Sequence, residues 1–193
     1  MHVSGHVSRV ASSVAPKVFS FLARGYDFRP LQALVYRSNH NEVMAELARI
    51  SPDVVVDVGC GTGVLTARIA AELRPSRLVG CDASDGMLAK ARARNPDVEW
   101  VLAHAESLPL DDASTDAVVC TEAFHFFDRP SALAEFRRIL RPAGAVIVVS
   151  VLTTRGQMST LVSDAGLELV EHRMARRLPG LPASLVTVAR RPA

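Results

Sequence analysis

The chain has 193 residues, enough for one domain with a substantial buried core. Hydrophobic residues make up 49% and charged residues 22%, a globular composition that excludes an intrinsically disordered chain. The 22 basic residues nearly balance the 20 acidic ones, and no basic cluster is interleaved with aromatic residues, which argues against a nucleic-acid-binding surface.

Cysteine usage and apolar runs indicate an intracellular protein. The three cysteines, Cys60, Cys81 and Cys120, show no C-x-x-C or Cys/His ligand spacing, and their odd number argues against a disulfide framework. The longest apolar run, residues 143–152, is half the length needed to cross a bilayer, and the start of the chain interleaves polar residues with apolar ones. We therefore expect a cytoplasmic protein with no metal site and no membrane span.

Residues 1–50 carry no strand pattern. Amphipathic helices are predicted over Lys17–Arg24 and Asn39–Ile50, separated by the segment RGYDFRP. We expect residues 1–50 to form an N-terminal helical arm or cap.

From Asp53 onward, short Val-rich runs alternate with helical patterns, which is typical of a parallel sheet covered by helices on both faces. The predicted strands are DVVVDV at 53–58, RLVGCD at 77–82, a strand from Val98, DAVVCT at 116–121 and AVIVVSV at 145–151. The predicted helices cover 64–73, 84–94, 131–140 and 157–164, and Ser84 is a natural N-cap for the second of them.

Two further strands, LELVEHRM and SLVTVAR, are joined by a short Pro/Gly connection and can pair only as a hairpin. The sheet is therefore predicted to end with an antiparallel strand. The predicted fold class is α/β, a doubly wound, mostly parallel seven-stranded sheet formed by residues 51–193.

The segment VVDVGCGTG, residues 55–63, places three glycines directly after the first buried strand. Ligands of open α/β sheets bind beyond the carboxyl ends of the strands, where glycines allow close approach and the next helix presents free N–H groups. A nicotinamide-binding loop reads G-x-G-x-x-G, but here the third glycine comes one residue early and Val64 holds the sixth position.

Two carboxylates flank this loop and indicate a cationic nucleoside. Asp57 precedes Gly59 by two residues and would repel a diphosphate. Asp82, about twenty residues past the loop, is placed to accept hydrogen bonds from a ribose diol. A nucleoside with a ribose diol and a positively charged chain describes S-adenosylmethionine.

Five segments in order carry a family resemblance: VVDVGCGTG, VGCDASDGML, AHAESLPLDDASTDAVVC, TEAFHFFD and EFRRILRPAG. Together they resemble the motif set of class I S-adenosylmethionine-dependent methyltransferases, and within it the small-molecule branch that includes quinone-biosynthesis methyltransferases. The resemblance is strong over residues 50–151 and weaker in FSFLARGYD and DAGLELV. It implies a Rossmann-like methyltransferase fold and methyl transfer to a small-molecule acceptor.

The resemblance also implies residue roles. Asp57 would hold the methionine ammonium, Asp82 the ribose hydroxyls, and the backbone of the glycines would let the cofactor pass closely. Where the family usually has Asp beside the adenine, this chain has His104, and it reads RPAG instead of R-P-G-G. The implied cofactor-binding residues are Asp57, Gly59, Cys60, Gly61, Gly63, Asp82, Ala83, Met87, His104, Ala105, Glu106 and Thr121.

Residues 121–125 are expected to face both the methyl group and the acceptor. Methyl transfer depends mostly on alignment and desolvation, and a base is needed only if the acceptor must lose a proton. His125 is either that base or a histidine satisfied by a neighbouring polar group. Tyr26 matches a family tyrosine that closes over the cofactor, or it is an ordinary anchor between helix and loop.

Several alternatives remain at this level. Cys60, Cys81 and Cys120 follow neighbouring strand ends and either form a thiol cluster for a soft metal or serve as small buried apolar residues. Apolar residues at 18–22 favour a hydrophobic acceptor, or they only pack on the sheet. The alternative functions are a methyltransferase-like binding module without catalysis and an NAD-dependent dehydrogenase.

Overall fold

The structure is a computed structural model that describes residues 30–175 and 184–193, with side chains described from Tyr36 onward. The predicted helix Lys17–Arg24, Tyr26 and the apolar residues at 18–22 lie outside the described residues.

Within the described residues, helices and strands alternate along the chain. The helices are α1 (Pro30–Ile50), α2 (Val64–Glu72), α3 (Asp85–Arg94), α4 (Arg129–Ile139) and α5 (Arg155–Asp164), with a 3-10 turn at Phe124–Phe126. The strands are β1 (Val54–Val58), β2 (Arg77–Asp82), β3 (Glu99–Leu102), β4 (Thr115–Thr121), β5 (Leu140–Ser150), β6 (Glu168–Met174) and β7 (Leu185–Arg190).

The strands form one seven-stranded sheet in the order β3-β2-β1-β4-β5-β7-β6. Only β7 runs antiparallel to its neighbours β5 and β6. The predicted mostly parallel sheet with a final antiparallel strand is confirmed. The strand order reverses between the parallel strands β1 and β4, since β2 and β3 lie on one side of β1 and β4 and β5 on the other. The carboxyl ends of β1 and β4 therefore mark the place where a ligand is expected.

Two boundaries differ by more than two residues from the sequence prediction. Helix α1 begins at Pro30 instead of Asn39. Proline suits the first helical position, because the N–H that it lacks would have no partner within the helix there. Strand β5 begins at Leu140 instead of Ala145, because Leu140 adopts extended dihedral angles and pairs with Thr115. Pro142 and Ala143, the latter with φ 64°, lie in an irregular stretch near the start of β5, and the strand continues beyond them.

Each face of the sheet has its own buried core. Helices α1 and α2 pack on one face through residues such as Leu47 and Ile69 against Val119 of β4. Helices α4 and α5 cover the other face, where Phe136 is fully buried. Burying each such side chain stabilises the fold by about 1.5–3 kcal/mol. Helix α1 packs directly on the sheet and lies in the same helical layer as α2. A capping role for residues 1–50 stays a prediction.

Candidate functional site

The loop between β1 and α2 is shaped by its three glycines. Gly59, Gly61 and Gly63 all adopt left-handed dihedral angles, with φ of 72°, 55° and 73°. The amides of Gly59 and Cys60 donate to the Cys81 carbonyl at 2.8 and 3.0 Å, which fixes the loop to the end of β2.

The space around these glycines differs. A Cβ at Gly59 would overlap the Ala123 side chain, and one at Gly63 would lie 2.5 Å from Trp100 Cη2. A Cβ at Gly61 would meet no atom of the described residues within 4 Å. Gly59 and Gly63 are therefore required by internal packing, whereas Gly61 borders open space suited to a ligand.

Asp57 is a buried carboxyl group at the base of this loop. It is 2% exposed, and its Oδ2 accepts a hydrogen bond of 2.6 Å from the Thr66 hydroxyl on α2. Burial raises the pKa of Asp57 to about 7; the nearby Asp82 carboxylate adds to the rise and the Thr66 hydrogen bond opposes it. A cation at this position would favour the ionised form.

Asp82 holds the loop from the neighbouring strand. Its Oδ2 accepts from the Gly61 amide at 2.9 Å and its Oδ1 from the Ser84 amide at 2.8 Å. Burial raises its pKa, and these two backbone hydrogen bonds oppose the rise. The sequence suggested only a ligand-binding role for Asp82 and did not predict the hydrogen bond by which it fixes the Gly61 backbone.

The predicted adenine-side residues surround the start of α3 and the loop after β3. Ala83 is half-buried, while Met87 is buried just past the Ser84 N-cap predicted from the sequence. His104 is exposed and forms an isolated bridge with Ser107.

Ala105 and Glu106, which follow His104, are buried to different degrees. Ala105 is buried, whereas Glu106 accepts a hydrogen bond of 2.7 Å from the Asp128 amide, just before α4. The Ala103 amide donates to the Asp82 carbonyl, so this loop lies beside the end of β2. Contacts of these residues with adenine stay a prediction.

Hydrogen bonds that the sequence did not reveal join the carboxyl end of β4 to two distant residues, Asn39 and Ser184. Glu122 has φ 56°, and its Oε1 accepts hydrogen bonds from Asn39 Nδ2 at 2.6 Å and Ser184 Oγ at 2.8 Å. Asn39 and Ser184 are fully buried and are joined by a further bond of 3.0 Å. Thr121, which precedes Glu122, has a buried Oγ1 with no hydrogen-bond partner among the described residues.

His125 lies one turn further on, in the 3-10 turn. Its ring centroid is 4.0 Å from that of Phe126, and its buried Nδ1 has no partner within the described part of the chain. Burial and then the Arg129 charge lower the pKa of His125, which keeps its imidazole neutral near pH 7. A neutral imidazole with an unpaired nitrogen is able to accept a proton.

The three cysteines pack as apolar residues. Cys81 and Cys120 are fully buried in the core beneath α4, and Cys60 is half-buried. Burial raises the pKa of all three thiols, that of Cys81 to about 12, so they are protonated at neutral pH. Over residues 30–175 and 184–193, no group of three or more His, Cys, Asp or Glu side chains is placed to hold a metal ion. No described helix is both long and apolar enough to cross a bilayer.

Comparisons with known proteins agree with this geometry. Residues 56–148 match a family described as a methyltransferase domain. The malonyl-(acyl-carrier protein) O-methyltransferase of Hahella chejuensis is 37% identical over 153 residues, covering 76% of this chain and 50% of the relative. The demethylmenaquinone methyltransferase of Thermotoga maritima is 29% identical over 141 residues, covering 72% of this chain and 62% of the relative.

The fold is also found in solved structures. A chain from the complex between the Haloferax volcanii Trm112 methyltransferase activator and a methyltransferase superposes with a TM-score of 0.77 at 23% identity, covering 91% of this chain and 98% of that chain. This likeness shows the fold. The chain spans half or less of the length of the first curated relatives that it matches.

Proposed function

We propose that this chain, whose residues 56–148 match a methyltransferase domain family, transfers a methyl group from S-adenosylmethionine to a small-molecule acceptor. The observation that carries this proposal is the buried Asp57 carboxyl at the base of a loop whose Gly61 borders open space. When bound, S-adenosylmethionine supplies a methyl group on a cationic sulfonium together with a methionine ammonium group.

The residues of the loop fit such a ligand. Asp57 would balance the ammonium directly or through water, and Asp82 already points its carboxylate at the Gly61 amide beside the proposed ribose position. Gly61 leaves room for close approach of the ligand to the backbone. Methyl transfer is an in-line displacement at carbon, so most of the rate enhancement would come from alignment and exclusion of water.

The two alternative functions fit less well. A dinucleotide would bring a diphosphate toward two buried or half-buried carboxylates, Asp57 and Asp82, which would repel it. A binding module without catalysis has the same cofactor site, so only turnover separates it from an enzyme. The names of the two relatives state different acceptors, a malonyl-(acyl-carrier protein) and a demethylmenaquinone. Neither acceptor is assigned to this chain.

Titration calorimetry tests the cofactor. We expect both S-adenosylmethionine and S-adenosylhomocysteine to bind with micromolar affinity and NADH not to bind. Binding of NADH without either adenosyl compound would overturn the proposal. Radiolabelled methyl transfer to a panel of alcohols, phenols, amines and carboxylic acids then separates an enzyme from a binding module.

Replacing His125 with glutamine tests the proposed base. With any acceptor of the panel that must lose a proton, we expect kcat to fall by about 10²–10⁴-fold, since general bases contribute on that order. Affinity for S-adenosylhomocysteine should stay within twofold, because the proposed cofactor contacts do not include this ring. An unchanged kcat across pH 6–9 would assign His125 to packing against Phe126 alone.

A further inference from the structure

The Asn39 side chain has a fixed orientation that leaves one of its atoms without a partner. Its Nδ2 donates to Glu122 Oε1 at 2.6 Å and to Ser184 Oγ at 3.0 Å. Because a carboxylate only accepts hydrogen bonds, turning the amide around would set oxygen against oxygen. The Asn39 Oδ1 therefore points away from Glu122, and it is buried with no hydrogen-bond partner among the described residues.

Thr121 places a second such atom on the same face of the sheet. Side chains alternate between faces along a strand, and Ala117 and Val119 of β4 belong to the core beneath α1. Thr121 continues this series, so its Oγ1 lies on the α1 face at the carboxyl end of β4. This oxygen is also buried and unpaired within the described part of the chain.

The position of the two oxygens relative to the glycine loop follows from the residues around them. Thr121 precedes Glu122, whose carboxylate holds the Asn39 amide, and it is two residues from Ala123. Ala123 packs so closely on Gly59 that a Cβ there would overlap it. Both oxygens therefore lie near the loop proposed to hold the cofactor, on the side covered by α1.

The backbone between them is strained. Glu122 has φ 56°, a left-handed conformation that costs a non-glycine residue on the order of 1 kcal/mol, and residues in this state concentrate at ligand sites. The bonds from Asn39 on α1 and from Ser184, just before β7, hold it in place. Three distant segments thus fix the direction in which Thr121 and Asn39 present their oxygens.

An unpaired buried oxygen costs about 1–3 kcal/mol, and a ligand that donates a hydrogen bond removes this cost. We propose that Thr121 Oγ1 and Asn39 Oδ1 form the acceptor subsite, which takes an acceptor whose hydroxyl or amine donates hydrogen bonds to them. This inference rests on the proposed function and narrows its substrate to molecules with an O–H or N–H group at the reacting end. A hydrocarbon at the same place would leave both oxygens unpaired.

Two cofactor analogues test the subsite without knowledge of the acceptor. Sinefungin carries an amine-bearing carbon where S-adenosylmethionine has its sulfur and methyl group, whereas S-adenosylhomocysteine has only the sulfur. The amine of sinefungin would therefore reach toward the acceptor side and donate to Thr121 and Asn39. By calorimetry we expect the wild-type protein to bind sinefungin at least about fivefold more tightly than S-adenosylhomocysteine, as for a hydrogen bond between charged and neutral groups.

The substitution Thr121→Val removes one of the two oxygens. Asn39→Leu removes the other, together with the amide that donates to Glu122 and Ser184. We expect either variant to lose most of the sinefungin preference, measured as the ratio of its affinity for sinefungin to its affinity for S-adenosylhomocysteine. Thr121→Ser keeps the hydroxyl and should keep the preference. Thr115→Val makes the same change at the other end of β4, about 20 Å away, and serves as the matched control. Since Thr121→Val removes a hydroxyl without a protein partner, it should unfold no earlier than wild type.

Each outcome separates the possibilities. A wild-type protein that binds the two analogues equally, or a Thr121→Val variant that keeps the preference, overturns the inference and leaves the proposed function intact. Equal losses of sinefungin and S-adenosylhomocysteine in Thr121→Val would place the hydroxyl on the cofactor's methionine end and also overturn it. Failure of the wild type to bind either analogue would refute the proposed function itself.

Discussion

Replacing Asp57 with asparagine is expected to make the protein more stable and to weaken its binding of S-adenosylmethionine. Burial raises the pKa of Asp57 to about 7, so ionising this carboxyl at pH 8 costs the folded state free energy that the unfolded chain does not lose. Asparagine has no charge to bury and still accepts the hydrogen bond from Thr66. We expect the free energy of unfolding at pH 8 to rise by roughly 2–4 kcal/mol.

The sign of the stability change follows from how the free energy of unfolding depends on pH through Asp57. A carboxyl whose folded pKa lies above its unfolded value loses stabilising free energy as pH rises from about 4 to about 7, and no more is lost above that range. The stability difference between Asp57→Asn and wild type should therefore be small near pH 4 and complete by pH 8. Urea unfolding at several pH values measures it directly.

The same substitution removes the proposed partner of the methionine ammonium. We expect affinity for S-adenosylmethionine to fall by about 10–100-fold, because hydrogen bonds to charged groups contribute about 1.5–3 kcal/mol. Wild-type affinity should rise between pH 6 and pH 8 as Asp57 ionises, and the variant's affinity should be flat. A variant that binds as tightly as wild type at pH 8 would contradict the assigned role.

Asp116→Asn is the matched control at the opposite end of the sheet. Burial raises the pKa of Asp116, but hydrogen bonds from Arg141 and from the Val54 and Asp53 amides outweigh it and lower that pKa overall. This substitution should destabilise the protein and leave cofactor affinity unchanged. The two changes, identical in chemistry, should therefore have opposite effects on stability.

Gly61→Ala is expected to abolish most cofactor binding while leaving the fold intact. Alanine at φ 55° costs about 1–2 kcal/mol of backbone strain, and its Cβ meets no described atom within 4 Å. That Cβ would occupy the space proposed for the ligand, so affinity for S-adenosylhomocysteine should fall at least tenfold. Thermal unfolding and calorimetry on the same sample separate the two effects.

Gly63→Ala is the comparison that isolates packing from binding. Its Cβ would lie 2.5 Å from Trp100 Cη2 and 3.0 Å from Ala91 Cβ, so it combines backbone strain with overpacking. We expect a loss of about 2–4 kcal/mol in unfolding free energy. If Gly61→Ala bound S-adenosylhomocysteine as tightly as wild type, the open side of the loop would not be the cofactor site.

The elements of the core were predictable because their signals are local. Strands buried on both faces read as continuous apolar runs, and β2 has the predicted bounds of 77–82. The Ser84 N-cap was predicted and accepts a hydrogen bond from the Met87 amide. The glycines of VVDVGCGTG are close together in the sequence, so their place in a loop directly after β1 was predictable.

The candidate site likewise contains some residues that local sequence predicts and some contacts that it does not. Asp57, Asp82 and the glycine loop are assigned from short segments at strand ends, where parallel strands necessarily bring their carboxyl ends to one edge. The hydrogen bonds that Asn39 makes to Glu122 and Ser184 escaped prediction because they join residues 83 and 145 positions apart. Such contacts exist only once α1 and β7 have packed around the end of β4, and no local pattern encodes a positive φ at Glu122. Local periodicity and turn chemistry therefore determined the sheet and its glycine loop, whereas the packing of distant segments decided which polar atoms are buried without partners.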